Sequence, residues 1–212
     1  MNPKTTWKGI ALVMTAAFVV LALPGGATTS SPAPADKVSV AGSSIEILSA
    51  PLKEGSSSET VTLLSTDLKT SSPTDLLLYL TLECSLWTQV TTVGNDESES
   101  VATVSAWIEL DGTPISVSSG DAENGKVVFC DRAHKQATSG FENENATIEQ
   151  HLRTKSANGF NWAVLDVGSG THTLTVMAQL EAHVTNLGMA KSGIGHRTLI
   201  VEPVKLATGA TL

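Results

Sequence analysis

Basic residues are scarce in this chain of 212 residues, which has 13 Lys and Arg against 21 Asp and Glu and a formal net charge of −8. Binding to nucleic acid requires clustered Lys and Arg that neutralise phosphates, so the composition excludes nucleic acid as a partner. Charged residues make up only 16% and hydrophobic residues 41%, which excludes a disordered polyelectrolyte. The 17 Gly and eight Pro follow no collagen-like period. The length suits one folded domain, alone or with a tail.

The sequence also lacks the common catalytic and metal-binding motifs. It has no G-x-S-x-G elbow for a serine nucleophile and no H-E-x-x-H or C-x-x-C spacing for zinc. We therefore expect neither a cofactor nor catalysis, and one alternative stays open, a glycosidase-like carboxylate pair drawn from Glu109, Asp131 and Asp166. A zinc site would require histidines that converge in space, from the set His134, His151, His172, His183 and His196.

The first 27 residues have the features of a secretory signal peptide. Lys4 and Lys8 precede an apolar run over residues 9–23, and small residues follow up to Ala27, where we predict cleavage. A permanent membrane anchor is the alternative, but the apolar run would span about 22 Å as a helix, short of the ~30 Å hydrocarbon core. The mature protein is thus predicted to be secreted, outside the cell or in the cell envelope, with no membrane contact after cleavage.

Residues 28–36 are rich in Ser, Thr and Pro and are predicted to form a flexible linker, followed by one domain over residues 37–212. Both cysteines, Cys84 and Cys130, fall in that domain. The compartments that receive exported proteins do not keep thiols reduced, so we predict a structural disulfide between the two.

Alternation of apolar and polar residues is the main structural signal of the domain. Apolar residues occupy the even positions of residues 76–90 apart from Thr88, and those of 102–110 and of 174–184, which is typical of strands with one buried face. The polar residues 94–100 between the first two segments predict a turn that joins them as a hairpin. Shorter alternating pieces near Val38, Ile45 and Val61 predict edge strands.

Two segments interrupt the alternation. Residues 146–153 are predicted to form a short helix, with Asn145 as the N-cap and with Ile148 and Leu152 on one side. A loop is predicted before the last strand, because Gly188, Gly193 and Gly195 follow one another closely.

About eight or nine strands with one short helix predict an all-β fold, an antiparallel β-sandwich of immunoglobulin-like or jelly-roll topology. Residues 170–176, Gly-Thr-His-Thr-Leu-Thr-Val, resemble the late strand of immunoglobulin-like and fibronectin-III-type sandwiches. The resemblance covers seven residues, and it implies the fold and no functional residue.

Three surface features are candidates for binding. Trp87 and Trp107 share the odd-numbered face of neighbouring strands, where exposed aromatic rings could stack on sugars, although a second layer could equally cover that face. Asn145 begins an Asn-Ala-Thr acceptor for glycosylation. Two oxygen-rich loops without defined ligand spacing keep calcium open as an alternative to solvated turns; their residues are Asp96, Glu97, Glu99, Asp121, Glu123 and Asn124.

The sequence therefore favours a secreted, non-catalytic module for adhesion, matrix or cell-envelope interaction, with a protein or a glycan as partner. A carbohydrate-binding or small-ligand-binding module that uses Trp87 and Trp107 is the first alternative, and an extracellular hydrolase is the second. Exposed tryptophans would favour the first alternative, and a cleft with converging Asp, Glu or His would favour the second.

Overall fold

The computed structural model describes residues 38–49, 53–117 and 123–206. The predicted signal peptide, the linker and Asp121 lie outside the described residues. Nine β-strands and no helix occur in the described ranges. In chain order the strands are β1 (Val38–Gly42), β2 (Glu46–Ser49), β3 (Lys53–Thr70), β4 (Thr74–Val93), β5 (Glu97–Leu110), β6 (Thr113–Pro114), β7 (Val127–Ala137), β8 (Thr147–Val167) and β9 (Gly170–Val204).

The 35-residue strand β9 organises the sheet. Its first half, residues 170–187, pairs with β3 and β5. Its second half, residues 188–204, pairs with β4, β1 and β2. Strand β7 pairs with β5, and β8 pairs with β4. All of these pairings are antiparallel, so the predicted all-β antiparallel architecture is confirmed.

The predicted hairpin of β4 and β5 is wrong. Only Gly94, Asn95 and Asp96 separate the two strands, yet β4 pairs with β8 and the second half of β9, whereas β5 pairs with the first half of β9, β6 and β7. Buried hydroxyls make the contact between β4 and β5 in place of a ladder: Ser98 Oγ donates to the Thr91 carbonyl at 2.7 Å and Ser100 Oγ to the Gln89 carbonyl at 2.6 Å. The polar turn between β4 and β5 therefore connects two strands that pair with different neighbours and not with each other.

The predicted helix over residues 146–153 is also wrong, because residues 147–153 form the first part of β8. The spacing of Ile148 and Leu152 fits a helix, but both numbers are even, so it fits one face of a strand equally well. Strand β4 offers ladder partners to β8 from Val93 opposite Thr147 to Leu76 opposite Val164 and, after a register shift, to Thr74 opposite Val167. Pairing with β4 satisfies the backbone N–H and C=O groups of both strands, and this favours a strand over a helix in this segment.

The predicted alternating rows form a large part of the core. Every even-numbered residue from Leu76 to Leu86 is at most 3% exposed, and the rows from Ala102 to Ile108 and from Leu174 to Val184 are equally buried. Cys84 belongs to this cluster, and its Cα lies 6.5 Å from that of Cys130, at disulfide distance. This pair joins β4 to β7, two strands that share no ladder.

Candidate functional site

Glycines give one surface of the sheet its shape. The predicted loop at Gly188, Gly193 and Gly195 is wrong, since all three lie inside β9. A Cβ on Gly193 would come within 3.2 Å of the Glu46 carbonyl oxygen, and one on Gly195 within 2.3 Å of a Glu83 carboxylate oxygen. Because glycine has no side chain, the surface of the sheet is depressed at Gly193 and Gly195.

A groove crosses β2, β9, β4 and β8 over this depressed surface. We call it the Trp87 groove, and its lining residues are Ile47, Ser85, Trp87, Arg153, Lys191, Ser192 and Gly193. It encloses about 270 Å³, and a second depression of about 270 Å³ continues it past Ile45, Glu83, Lys155 and His196. The two depressions share Ile47, Ser85, Arg153 and Gly193, so they form one continuous surface.

Exposed apolar groups form the edges of the groove. Ile45 is 71% exposed, Ile47 is 64% exposed and Trp87 is 38% exposed. Side chains of this size are usually buried, so their grouping makes this surface a candidate contact site.

The strand register places a cation on each side of Trp87. Arg153 lies directly opposite Trp87 on β8, and Lys191 lies opposite it on β9. Lys191 Nζ is 5.8 Å from the centroid of the Trp87 ring, within the range of a cation–π contact. The next row across the sheet is Lys155, Ser85, Gly193 and Ile47.

The groove therefore has excess positive charge on an acidic protein. Glu83, the one carboxylate that lines the adjoining second depression, accepts from Lys155 Nζ at 3.0 Å and lies 3.8 Å from His196 Nδ1. The hydrogen bond from Lys155, aided by the charges of Lys155 and His196, lowers the pKa of Glu83. Glu83 thus compensates Lys155, and Arg153 and Lys191 remain available to an anion.

Trp107 lies apart from Trp87. Its partner on β9 is Met177, 14 residues before Lys191, so the structure does not bring the two predicted stacking residues together. Trp107 is partly buried and donates through Nε1 to Glu109 at 3.0 Å. It lines a separate depression of about 270 Å³ with Glu109, Pro114, Glu123, Asn124 and Lys126. Trp162 is 1% exposed, in the core.

The candidate hydrolase carboxylates occupy separate places. Asp131 accepts from Thr103 on β5. Glu109 lies on the same strand six residues after Thr103, which places it about 20 Å from Thr103 at the usual rise per residue. Asp166 is on β8, where its backbone amide donates to Asp75. A Ser–His contact that the sequence did not indicate, Ser56 Oγ to His183 Nδ1 at 2.7 Å, has Thr185 rather than a carboxylate on the other ring nitrogen. The hydrolase alternative stays a prediction without converging residues.

Two of the acidic-loop carboxylates, Asp96 and Glu97, bind protein donors. Asp96 Oδ1 accepts from the Glu97 amide, and Glu97 pairs with Lys135 at 2.6 Å. Within the described residues no cluster of three or more His, Cys, Asp or Glu is close enough to hold a metal ion. Asn145 is exposed in the turn before β8, and Thr147, the hydroxyl residue of the same motif, donates through Oγ1 to the Asn145 carbonyl at 3.4 Å. No helix in the described ranges is long and apolar enough to cross a bilayer.

Comparisons with known proteins give no family. No family model and no curated protein matches the chain. Among solved structures, it is similar to chains of infectious bursal disease virus: the Gt strain at 14% identity and TM-score 0.24, the Gx strain at 16% and 0.18, and the VP2 subviral particle at 12% and 0.16. The matches cover 82%, 82% and 79% of this chain but 37%, 45% and 42% of the viral chains. The chain spans less than half of those chains, and at these TM-scores we take no function from them.

Proposed function

We propose that this protein is an exported, non-catalytic binding module that attaches to an acidic polysaccharide of the extracellular matrix or cell envelope. The observation that carries the proposal is the register of the Trp87 groove, in which an exposed indole has a cation on each neighbouring strand. The proposal joins the matrix or envelope role expected from the sequence to the ligand-binding alternative, with Trp87 alone as the stacking residue.

The chemistry of the groove fits a sugar that carries a carboxylate or sulfate group. An indole offers a flat apolar face on which a pyranose ring can lie. Arg153 can bind a planar carboxylate with two hydrogen bonds, and Lys191 adds a mobile point charge. The groove continues past Ile47 and Gly193 into the second depression, so more than one sugar unit of a chain has a surface to contact.

Affinity electrophoresis tests this proposal. The oxidised, secreted protein is run through gels that contain either a uronic-acid polysaccharide or a neutral polysaccharide, and retardation is expected only with the acidic one. Trp87→Ala should weaken the retardation about tenfold. Trp107→Ala is the matched control and should leave it unchanged, because Trp107 lies in another depression. Equal retardation of both variants, or none of the parent protein, would overturn the proposal.

The charge of the groove gives a second arm of the same test. Arg153→Gln together with Lys191→Gln should abolish retardation and should remove most of its dependence on salt, since exposed charges are screened within about 10 Å at 0.1 M ionic strength. A double variant that binds like the parent protein would assign the retardation to apolar contact alone.

The finer fold expected from the sequence belongs to the same proposal. We infer that the strands form two layers, a sandwich of immunoglobulin-like or jelly-roll topology. Two features support this: β9 changes its partners at Gly188, and the Cys84–Cys130 pair joins strands that are not hydrogen-bonded. Export is supported by the signal-like residues 1–27 and by the cysteine pair.

A further inference from the structure

Strand β8 has a long edge without a ladder partner. It lies at the end of the strand order, and β4 is the one strand with which it pairs in the described part of the chain. Its register with β4 runs without interruption from Thr147 to Val164. The N–H and C=O groups on the other side of such a strand are a template on which a further chain can form a ladder.

The other edge strands have features that hinder such pairing. Strands β1, β2 and β6 have only five, four and two residues. The ladder of β3 has two register shifts, and the ladder between β5 and β7 has one. Short strands and bulges are the usual protection of sheet edges. Strand β8 has neither over residues 147–164, so its edge stays open to a partner strand.

The open part of this edge covers residues 147–155. Beyond it β8 meets β7, where Ser156 Oγ lies 3.4 Å from Cys130 Sγ and Asn158 Nδ2 donates to the Phe129 carbonyl at 2.8 Å. A partner strand is therefore expected on the first part of β8 and not on the second.

Leu152 supplies an apolar contact in this open part. It lies opposite Thr88 on β4, so the two side chains share one face of the sheet. Thr88 is completely buried, whereas Leu152 is 47% exposed. A partner that covers Leu152 removes from water an apolar side chain that the described fold leaves half-exposed.

The charges of the edge are complementary to a second copy of the same strand. Glu149, His151, Arg153 and Lys155 occupy the odd-numbered positions around Leu152, and all four are exposed. In an antiparallel pair of identical strands with Leu152 opposite Leu152, Glu149 of each copy lies opposite Lys155 of the other. His151 then lies opposite Arg153. Opposite charges that face each other across a ladder stabilise it, and like charges destabilise it.

The neighbouring registers fit less well. A twofold axis at Arg153 would bring two guanidinium groups face to face. An axis at His151 would pair Glu149 with Arg153, but it would place two imidazoles opposite each other and Leu152 opposite Gln150. The axis at Leu152 combines an apolar pair with two ion pairs.

We propose that this protein forms a homodimer by antiparallel pairing of residues 149–155 of β8, with Leu152 at the twofold axis. These residues give about six to eight backbone hydrogen bonds between the copies. Glu149 forms no ion pair within the described residues, and Lys155, which binds Glu83 at 3.0 Å, has further N–H donors for a second carboxylate. The interface is small, so we expect a dissociation constant of about 10 µM.

The dimer would bring two Trp87 grooves onto one face of a continuous sheet. Trp87 lies opposite Arg153, on the odd-numbered face of β8, and a twofold axis perpendicular to the sheet keeps that face on the same side in both copies. The two Trp87 positions are separated by three strand spacings and by two residues along the strand, about 16 Å in all. A polysaccharide chain can then contact both grooves. This consequence rests on the proposed function, whereas the dimer itself does not.

Sedimentation velocity of the oxidised, mature protein, without polysaccharide, tests the dimer. The parent protein should change from monomer to dimer between about 1 and 100 µM. Leu152→Lys brings two like charges together at the axis and should weaken association by about tenfold or more. Val128→Lys is the matched control, because Val128 is a 58% exposed apolar residue of another edge strand, β7, and this variant should associate like the parent.

An exchange of charges tests the register. Glu149→Lys alone creates two Lys–Lys pairs and Lys155→Glu alone two Glu–Glu pairs, so each variant should associate about tenfold more weakly than the parent. An equimolar mixture should recover the parent affinity to within about threefold, because every Lys then faces a Glu. Arg153→Glu is the control, since it faces His151 in this register and should associate like the parent. Unchanged circular dichroism spectra establish that each variant is folded.

The outcomes separate the dimer, its register and the polysaccharide site. A parent protein that stays monomeric at about 200 µM, or a Leu152→Lys variant that associates like the parent, would overturn the proposal. A mixture of Glu149→Lys and Lys155→Glu that stays monomeric, or a loss of association in Arg153→Glu, would overturn the register with Leu152 at the axis. A dimer that does not bind acidic polysaccharide would refute the proposed function and leave this inference standing.

Discussion

Arg197 is a buried cation held by neutral groups. It is 4% exposed, and its guanidinium donates to the carbonyls of Gly195 at 3.0 Å and Leu63 at 3.2 Å, to Ser44 Oγ at 2.6 Å and to the Ser44 carbonyl. One side chain of β9 thereby fixes the β1–β2 connection and β3 together. The planar guanidinium suits this role because it presents several donors in fixed directions.

Replacing Arg197 should therefore destabilise the fold. We expect Arg197→Met to lower the free energy of unfolding by about 3 kcal/mol, because buried carbonyl groups lose their donor. Arg197→Lys should recover only part of it, because one ammonium cannot reach all of the acceptors. Urea unfolding measures both. The exposed Arg153→Met is the control and should stay within about 0.5 kcal/mol of the parent protein; a similar small change for Arg197→Met would contradict the assigned role.

His172 and Asp111 form a pH-dependent contact at the start of β9. His172 Nδ1 lies 2.7 Å from Asp111 Oδ2, and Nε2 lies 3.0 Å from the Gly168 carbonyl. Both ring nitrogens face acceptors, so the hydrogen bonds to Asp111 and then to Gly168 raise the pKa of His172. The hydrogen bonds from His172 and then from the Thr173 amide lower the pKa of Asp111.

The sign of the pH effect follows from these directions. Protonated His172 stabilises the fold below its unfolded pKa of about 6.5, and this contribution is lost as the pH rises through its raised folded pKa. The contribution of Asp111 is present above its unfolded pKa of about 3.9 and is lost as the pH falls through its lowered folded pKa. The pair is therefore fully formed between about pH 4 and pH 6.5.

Asp111→Asn should thus cost more stability in weak acid than in alkali. We expect a loss of up to about 1 kcal/mol near pH 5.5 and a smaller loss near pH 9, since the contact is partly solvated. Asp131→Asn, which removes a carboxylate bound to Thr103, is the control and should show no such difference. NMR titration should also find a lower His172 pKa in Asp111→Asn, and an unchanged His172 pKa would refute the contact.

At the scale of the elements, alternation was a sound guide to strands and glycine a poor guide to loops. The even-numbered rows of β4, β5 and β9 are buried as the sequence predicts. Gly188, Gly193 and Gly195 mark close approach of neighbouring strands, a role that sequence spacing cannot distinguish from a turn because it depends on atoms distant in the chain.

Gly188 illustrates this at the point where β9 changes partners. A Cβ there would come within 2.4 Å of the Gln89 carbonyl oxygen and 2.5 Å of Ser100 Oγ, and the backbone oxygen cannot move aside. We expect Gly188→Ala to destabilise by about 2 kcal/mol. Gly168→Ala, where the added atom meets nothing within 4 Å, should be neutral or stabilising by up to about 1 kcal/mol. Chemical unfolding of both variants checks this, and equal effects would rule out the close approach.

The candidate site was only partly readable from the sequence. The alternation placed Trp87 on the odd-numbered face but left open whether a second layer covers that face; the side chain is 38% exposed, and the assumed hairpin wrongly paired it with Trp107. Arg153 and Lys191 are 66 and 104 residues further along the chain than Trp87, so only the register of β8 and β9 reveals them as its neighbours. Arg153 moreover lies in the segment predicted to be a helix.

For the whole molecule, the Cys84–Cys130 pair is the covalent link between strands that share no ladder. It closes a segment with a sequence separation of 46. We expect the double variant Cys84→Ala/Cys130→Ala to lose about 4 kcal/mol of stability on the chain-entropy account. The parent protein should approach the same unfolding midpoint after reduction. A loss below about 1 kcal/mol in both experiments would mean that packing alone holds β7 to β4.

The central claim is that Trp87 contacts an acidic polysaccharide, and acrylamide quenching of tryptophan fluorescence tests it most directly. In a Trp107→Phe variant of the mature protein, Trp162 is buried at 1% exposure, so Trp87 is the indole that the quencher reaches. Our account predicts strong quenching of the free protein that falls, saturably, on addition of a uronic-acid polysaccharide and not of a neutral one. Quenching that stays unchanged across acidic polysaccharides would contradict the claim.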